Sequence, residues 1–141
     1  MAYNYNKNLR IPFDEVIDKI QENLQAQGFN IIHIFDMKED LKNNLEVGFR
    51  NYKILTACHT VLGYKAMSLE PHIGLLLPCN ILVQEHENGE VEVSAMNPLE
   101  SIDKNMVTAS LEFVAGKISD HLRTAVDSLY LKSDHFSFTY N

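Results

Sequence analysis

Tryptophan is absent from the 141-residue chain, and cysteine and proline are scarce, with two and four copies. Two cysteines, Cys58 and Cys79, are too few for a disulfide framework, and their spacing matches no zinc-ligand signature. In a reducing compartment both are expected as thiols. No run approaches the ~18 consecutive apolar residues that span a bilayer, and Met1-Ala2-Tyr3-Asn4-Tyr5-Asn6 lacks the charged start and apolar core of a signal peptide. A cytoplasmic protein without membrane association is the expectation. Basic residues are outnumbered, 12 Lys and Arg against 19 Asp and Glu, for a net charge of −7. Nucleic-acid binding needs a basic footprint, so this balance argues against it. There is no phosphate-cradling Gly-rich loop, nucleophile elbow or zincin helix. No catalytic motif is recognisable, and the sequence leans away from an enzyme.

What is present is ordinary globular material, 45% hydrophobic and 22% charged. With no repeat, low-complexity tract or linker, residues 1–141 are expected to form a single domain. Tyr3 to Arg10 reads as a first strand weakened by its asparagines. Phe13, Val16, Ile17, Ile20 and Leu24 follow at helical spacing, with Asp14, Glu15 and Asp18 near the dipole-favoured end and Gly28 as the stop. Phe29 to Phe35 reads as a strand. Met37 to Leu45 reads as a short helix with Leu41 and Leu45 on one side, ended near Gly48. Asn51 to Cys58 is a third strand, with Tyr52, Ile54, Thr56 and Cys58 on one face. A helix over 61–69 is closed by Glu70-Pro71. The apolar run Ile73 to His86 predicts one central strand, interrupted at Pro78, where a bulge or an edge position is expected.

Asn88-Gly89 signals a hairpin into Val91 to Ala95. A two-residue turn would pair Val93 with Gln84 and Val91 with His86, which mismatches apolar and polar faces. A longer turn, or a bulge, that shifts the register by one residue is therefore expected. Val107, Leu111, Val114, Ile118, Leu122, Val126 and Leu129 then give a long amphipathic helix over the sheet. The fold class is α+β, with a mainly antiparallel sheet of about five strands and a long C-terminal helix packed on it.

Three stretches carry a family resemblance: Gly28-Phe29 after the first helix, Tyr52 to Cys58, and Pro71-His72-Ile73-Gly74-Leu75-Leu76-Leu77-Pro78-Cys79-Asn80 followed by Val93-Ser94-Ala95-Met96-Asn97-Pro98. Together they resemble the bacterial and archaeal family known as domain of unknown function 302, from about Phe13 to Pro98. The resemblance implies a fold similar to a single copy of the TATA-binding-protein sheet-and-helix unit, often dimeric, and no established activity. His59-Thr60 stands where members commonly carry Asn-Pro, which unsettles any transfer of turn geometry there. Likeness to a DNA-binding fold carries no functional weight, because function resides in sites.

The candidate site lies near the cysteines. Cys58 and Cys79 sit at the end of one strand and inside another. If those strands are neighbours, two thiolates could hold Cu(I) or Zn(II) with His59 or His72, or cycle between dithiol and disulfide. Cys79 also shares strand parity with Leu75, Leu77, Ile81 and Val83, which fits simple burial. Pro78-Cys79-Asn80 could open a polar notch, with Asn80 on the opposite face offering both donor and acceptor. Glu70 beside His72 could orient an imidazole, or both could be solvated loop groups. Glu85, Glu87, Glu90 and Glu92 read as a solvated, aggregation-resistant hairpin end. Three functions stay open. One is a dimeric ligand- or metal-binding module with Cys58, Glu70, Cys79 and Asn80 around its pocket and no cofactor identified. The others are a thiol redox protein using Cys58 and Cys79, and an interaction protein with no small-molecule site. The homodimer is expected from the family and from a sheet with a helical layer on one face only.

Overall fold

A computed structural model describes residues 4–102, 105 and 108–140. The first strand, β1 (Asn4–Leu9), is followed by α1 (Phe13–Ala26), β2 (Phe29–Asp36), α2 (Met37–Leu45), β3 (Tyr52–His59) and α3 (Thr60–Leu69). A single 3₁₀ turn, Ile73–Leu75, precedes β4 (Cys79–Glu85) and β5 (Val91–Met96), and α4 (Pro98–Ser101) and α5 (Ala109–Tyr140) complete the chain. All strand pairings are antiparallel, in the order β1-β5-β4-β3-β2, so β4 is central.

The helical stripe of α1 is buried at Phe13, Val16, Ile17, Ile20 and Leu24, and α5 buries Leu111, Val114, Ile118, Leu122, Val126 and Leu129. Both helices pack on one face of the sheet, against Leu55, Ala57, Ile81, Val83, Val91, Val93 and Ala95. Fully burying one such aliphatic side chain contributes roughly 1.5–3 kcal/mol, so this layer is the main source of stability. Asn23 Nδ2 ties α1 to α5 by donating to the Ala125 carbonyl at 3.1 Å. Val107 and Tyr3, expected in the last helix and first strand, lie outside the described residues.

Local chemistry accounts for most boundaries. Gly28, at φ +94°, ends α1 in a conformation open to glycine at little cost. Asp36 caps α2 by accepting from the Glu39 amide at 3.1 Å. The helix stops at left-handed Glu46, two residues before Gly48, and Leu45 is exposed. The hairpin settles its register by lengthening the turn. His86 N donates to Glu90 O and Gly89 takes φ +87°, giving a three-residue loop. Val93 thereby meets Val83, and Val91 meets Glu85.

Two expectations are corrected. Ile73–His86 is not one strand: its first part is the 3₁₀ turn, and the strand starts only after the cis Leu77-Pro78 bond. Pro78 precedes the ladder, so it takes no hydrogen bond from β4 and opens no notch there. The sheet's irregularity falls instead in β2, between Ile31 and His33, where Ile32 is turned outward.

Candidate functional site

Strand alternation divides the sheet into an inner face beneath the helices and an outer face that α1 and α5 leave uncovered. Cys79 heads β4 on the inner face, paired with Ala57 and buried. Burial, and then the nearby Cys58, pushes its thiol pKa up to about 12. At neutral pH it is a protonated, weakly nucleophilic group. Cys58 is half-buried at the end of β3, one step out of register with Cys79, so the two do not face each other across a pair. Its Sγ lies 3.1 Å from where a Cβ on Gly63 would sit, so glycine is what lets α3 close against this sulfur.

His59 serves α3 directly: its Nδ1 accepts from the Leu62 amide at 3.3 Å. The ring stacks on His121 at 5.1 Å and meets the Phe29 edge at 5.2 Å. Burial, followed by His121, lowers its pKa, partly offset by the Gln27 backbone carbonyl. His72 is exposed and turned back on Glu70, with its amide 2.9 Å and its Nδ1 3.3 Å from Glu70 Oε1. The His72 amide hydrogen bond is the main cause lowering the Glu70 pKa. Among the described residues, no three His, Cys, Asp or Glu side chains converge as metal ligands.

Asn80 stands apart from these groups. It follows Cys79 on β4 and points to the outer face, where its Oδ1 accepts from Thr56 Oγ1 at 3.0 Å. The pairing registers stack the outer face in rows across the strands. Tyr52, Gln84 and Glu92 form one row, Phe35, Ile54, Leu82 and Ser94 the next, and His33, Thr56, Asn80, Met96 and Asn4 the third. A depression of about 250 Å³ lies over their centre, with Tyr52, Ile54, Leu82 and Met96 as apolar walls and Asn4, Asn80 and Ser94 as polar ones. The Asn80 Nδ2 hydrogens have no acceptor among the described residues, so they are free to meet a ligand.

At one end of this face, Arg50 lays its guanidinium over Phe49 at 4.4 Å and near Tyr52 at 5.4 Å, while Nε donates to Gln84 Oε1 at 3.0 Å. A larger cleft of about 690 Å³ lies between α3 and the start of α5, walled by Tyr64, Leu69, Phe113 and Val114 with Lys65 and Ser68. It contains none of the residues that the sequence singled out.

The model of the family described as domain of unknown function DUF302 matches residues 5–129. The chain belongs to the DUF302 family. An uncharacterized protein of Aquifex aeolicus (strain VF5) is 28% identical over 87 residues, covering 62% of this chain and 54% of its own. The DUF302 chain thus spans about half the length of that curated relative. Among solved structures, it is similar to an uncharacterized conserved DUF302 protein from Bacillus stearothermophilus. The TM-score is 0.80 at 23% identity, covering 90% of this chain and 98% of the other. That likeness establishes the fold: α+β, with a five-stranded antiparallel sheet and a C-terminal helix, as the sequence implied. No helix among the described residues is long and apolar enough to cross a membrane.

Of the residues singled out by sequence, only Asn80 lines the outer groove of this DUF302 protein; Cys58 ends the same strand face. Glu70 and His72 form a separate loop pair. Sequence reasoning missed Arg50, Leu82, Met96 and Asn4. The available signal was parity: Tyr52, Ile54 and Thr56 already shared a face, and their cross-strand partners complete it.

Proposed function

We propose that this DUF302 protein is a homodimeric binding module for a small molecule, with its site in the outer groove of the sheet around Asn80. The observation that carries the reading is the joining of an apolar floor, Ile54 and Leu82, to an amide with free donors at Asn80. Small-ligand sites have this composition, apolar walls with a few fixed polar groups. The groups also stand on strands, which hold geometry better than loops.

The second copy is assigned to α3 and the turn after it. There Val61, Tyr64, Met67, Leu69, Leu75 and Leu76 are all exposed, Leu75 at 86%. Lys65 is the one charged side chain within α3. Glu70 is the one acid on this surface, and it already accepts from the His72 amide, so two copies each carrying −7 repel little there. Large apolar surface left uncovered is uncommon on a monomer, which supports the assignment.

Naphthamide, flat and neutral, is the probe for the groove. Titration followed by amide NMR is expected to shift Ile54, Asn80, Leu82 and Ser94, and Leu82→Lys is expected to abolish those shifts. Shifts elsewhere only, or an indifferent Leu82→Lys, overturn the groove. For the dimer, light scattering is expected to return twice the chain mass and Tyr64→Glu to halve it; a single-chain mass for the native protein refutes that part.

A further inference from the structure

The outer groove ends at a cation whose surroundings do not neutralise it. The chain has three arginines. Arg10 approaches Glu90 at 3.6 Å, and Arg123 has Asp120 and Asp127 nearby. Arg50 forms no ion pair among the described residues, although acidic residues outnumber basic ones by seven. It is nevertheless held in place. Gln84 fixes Nε from the next strand, and the rings of Phe49 and Tyr52 support the guanidinium plane. A guanidinium fixed through Nε keeps its two terminal nitrogens for a planar, bidentate partner. Tyr52, which flanks Arg50, is also a wall of the groove.

We propose that the ligand of the outer groove is an oxyanion on a flat apolar body. Its carboxylate or phosphate forks onto the Arg50 Nη atoms, its body lies over Tyr52, Ile54 and Leu82, and its far end meets Asn80 Nδ2. This rests on the groove reading above and adds the charge and class of the ligand. The one acid in the outer rows, Glu92, is already engaged by His86 Nε2 at 2.7 Å and Ser94 Oγ at 3.1 Å, which moderates its repulsion of an incoming anion. A carboxylate and a phosphate offer the same fork, so both belong to the class.

The test compares naphthoate with naphthamide, which share a body and differ in charge, and adds phenyl phosphate to distinguish the two acid groups. Naphthoate is expected to bind roughly tenfold or more tightly than the amide, the worth of a charged hydrogen-bonded pair. Arg50→Gln is expected to bring naphthoate down to the affinity of the amide and leave the amide unchanged. Arg50→Lys is expected to restore only part, because a point charge cannot fork. Phenyl phosphate outcompeting naphthoate assigns the phosphate form, and the reverse assigns the carboxylate. Equal affinities for naphthoate and the amide, or an Arg50→Gln variant that binds naphthoate as well as wild type, overturn the anion proposal while leaving the groove intact. If neither probe shifts the groove residues, the groove reading fails and this proposal with it. Arg50 is exposed, and an unchanged amide spectrum in the free variants excludes misfolding as the cause.

Discussion

Acid should uncap α3. In the neutral state His59 Nδ1 accepts the Leu62 amide, so the ring proton sits on Nε2 and meets the Gln27 backbone carbonyl. Protonation places a hydrogen on Nδ1, turning an acceptor toward a donor, and sets a positive ring against His121. The structure resists this: burial and then His121 lower the His59 pKa from the ordinary histidine value. The sign follows by linkage. The unfolded chain takes up the proton first, so this contribution to stability is complete above about pH 6.5 and is lost as pH falls toward the folded value. Its size is set by the cap, roughly 0.5–2 kcal/mol, because solvent around a half-buried ring screens the charge interaction with His121. Urea unfolding at a series of pH values checks it. His59→Ala should lose about 1 kcal/mol at about pH 8, where the wild-type cap is intact. His59→Asn should keep the cap and lose the pH dependence, since the amide accepts without titrating. An Asn variant whose stability falls with acid as steeply as wild type would refute the reasoning.

Two further outcomes follow from the same corner of the molecule. Gly28→Ala should cost roughly 1–3 kcal/mol in thermal or urea unfolding, because φ is +94° and the added Cβ would sit 2.7 Å from His59 Nε2; an unchanged midpoint contradicts the close approach. With Ellman's reagent at neutral pH, Cys79 should react only on unfolding, given its burial and a thiol pKa of about 12. Two equally fast thiols in the native protein would contradict this.

The helices were legible because a 3.6-residue stripe has one interpretation: the α1 and α5 positions named from spacing are the buried ones, Val107 aside. The hairpin was legible because a register mismatch has few remedies, and the protein uses the longer turn. The run Ile73–His86 was not, because apolar composition alone does not separate a strand from a turn. Leu75 and Leu76 are exposed at that turn and not buried in a strand. The cysteines drew attention by their chemistry, but parity already grouped Cys79 with Ile81 and Val83. Arg50 was hidden because it precedes β3 in an irregular segment, and its partners Gln84 and Phe49 are fixed only by strand register and side-chain placement.

The separation of the two sheet faces also makes a prediction about neighbours in sequence. Asn80 and Ile81 are adjacent on the central strand, and their side chains serve opposite faces. Ile81 is 0% exposed among inner-face residues that close packing leaves unable to relax, so Ile81→Ala should cost roughly 2–5 kcal/mol. Asn80 is exposed, and its one hydrogen bond returns Thr56 Oγ1 to water when lost, so Asn80→Ala should stay within about 0.5 kcal/mol. Urea midpoints measured side by side decide between them. A residue whose removal leaves stability intact while weakening naphthamide binding is one the fold does not require. An Asn80→Ala variant as unstable as Ile81→Ala would instead make the Thr56–Asn80 pair part of the scaffold, and Asn80 would lose its claim to a role in recognition.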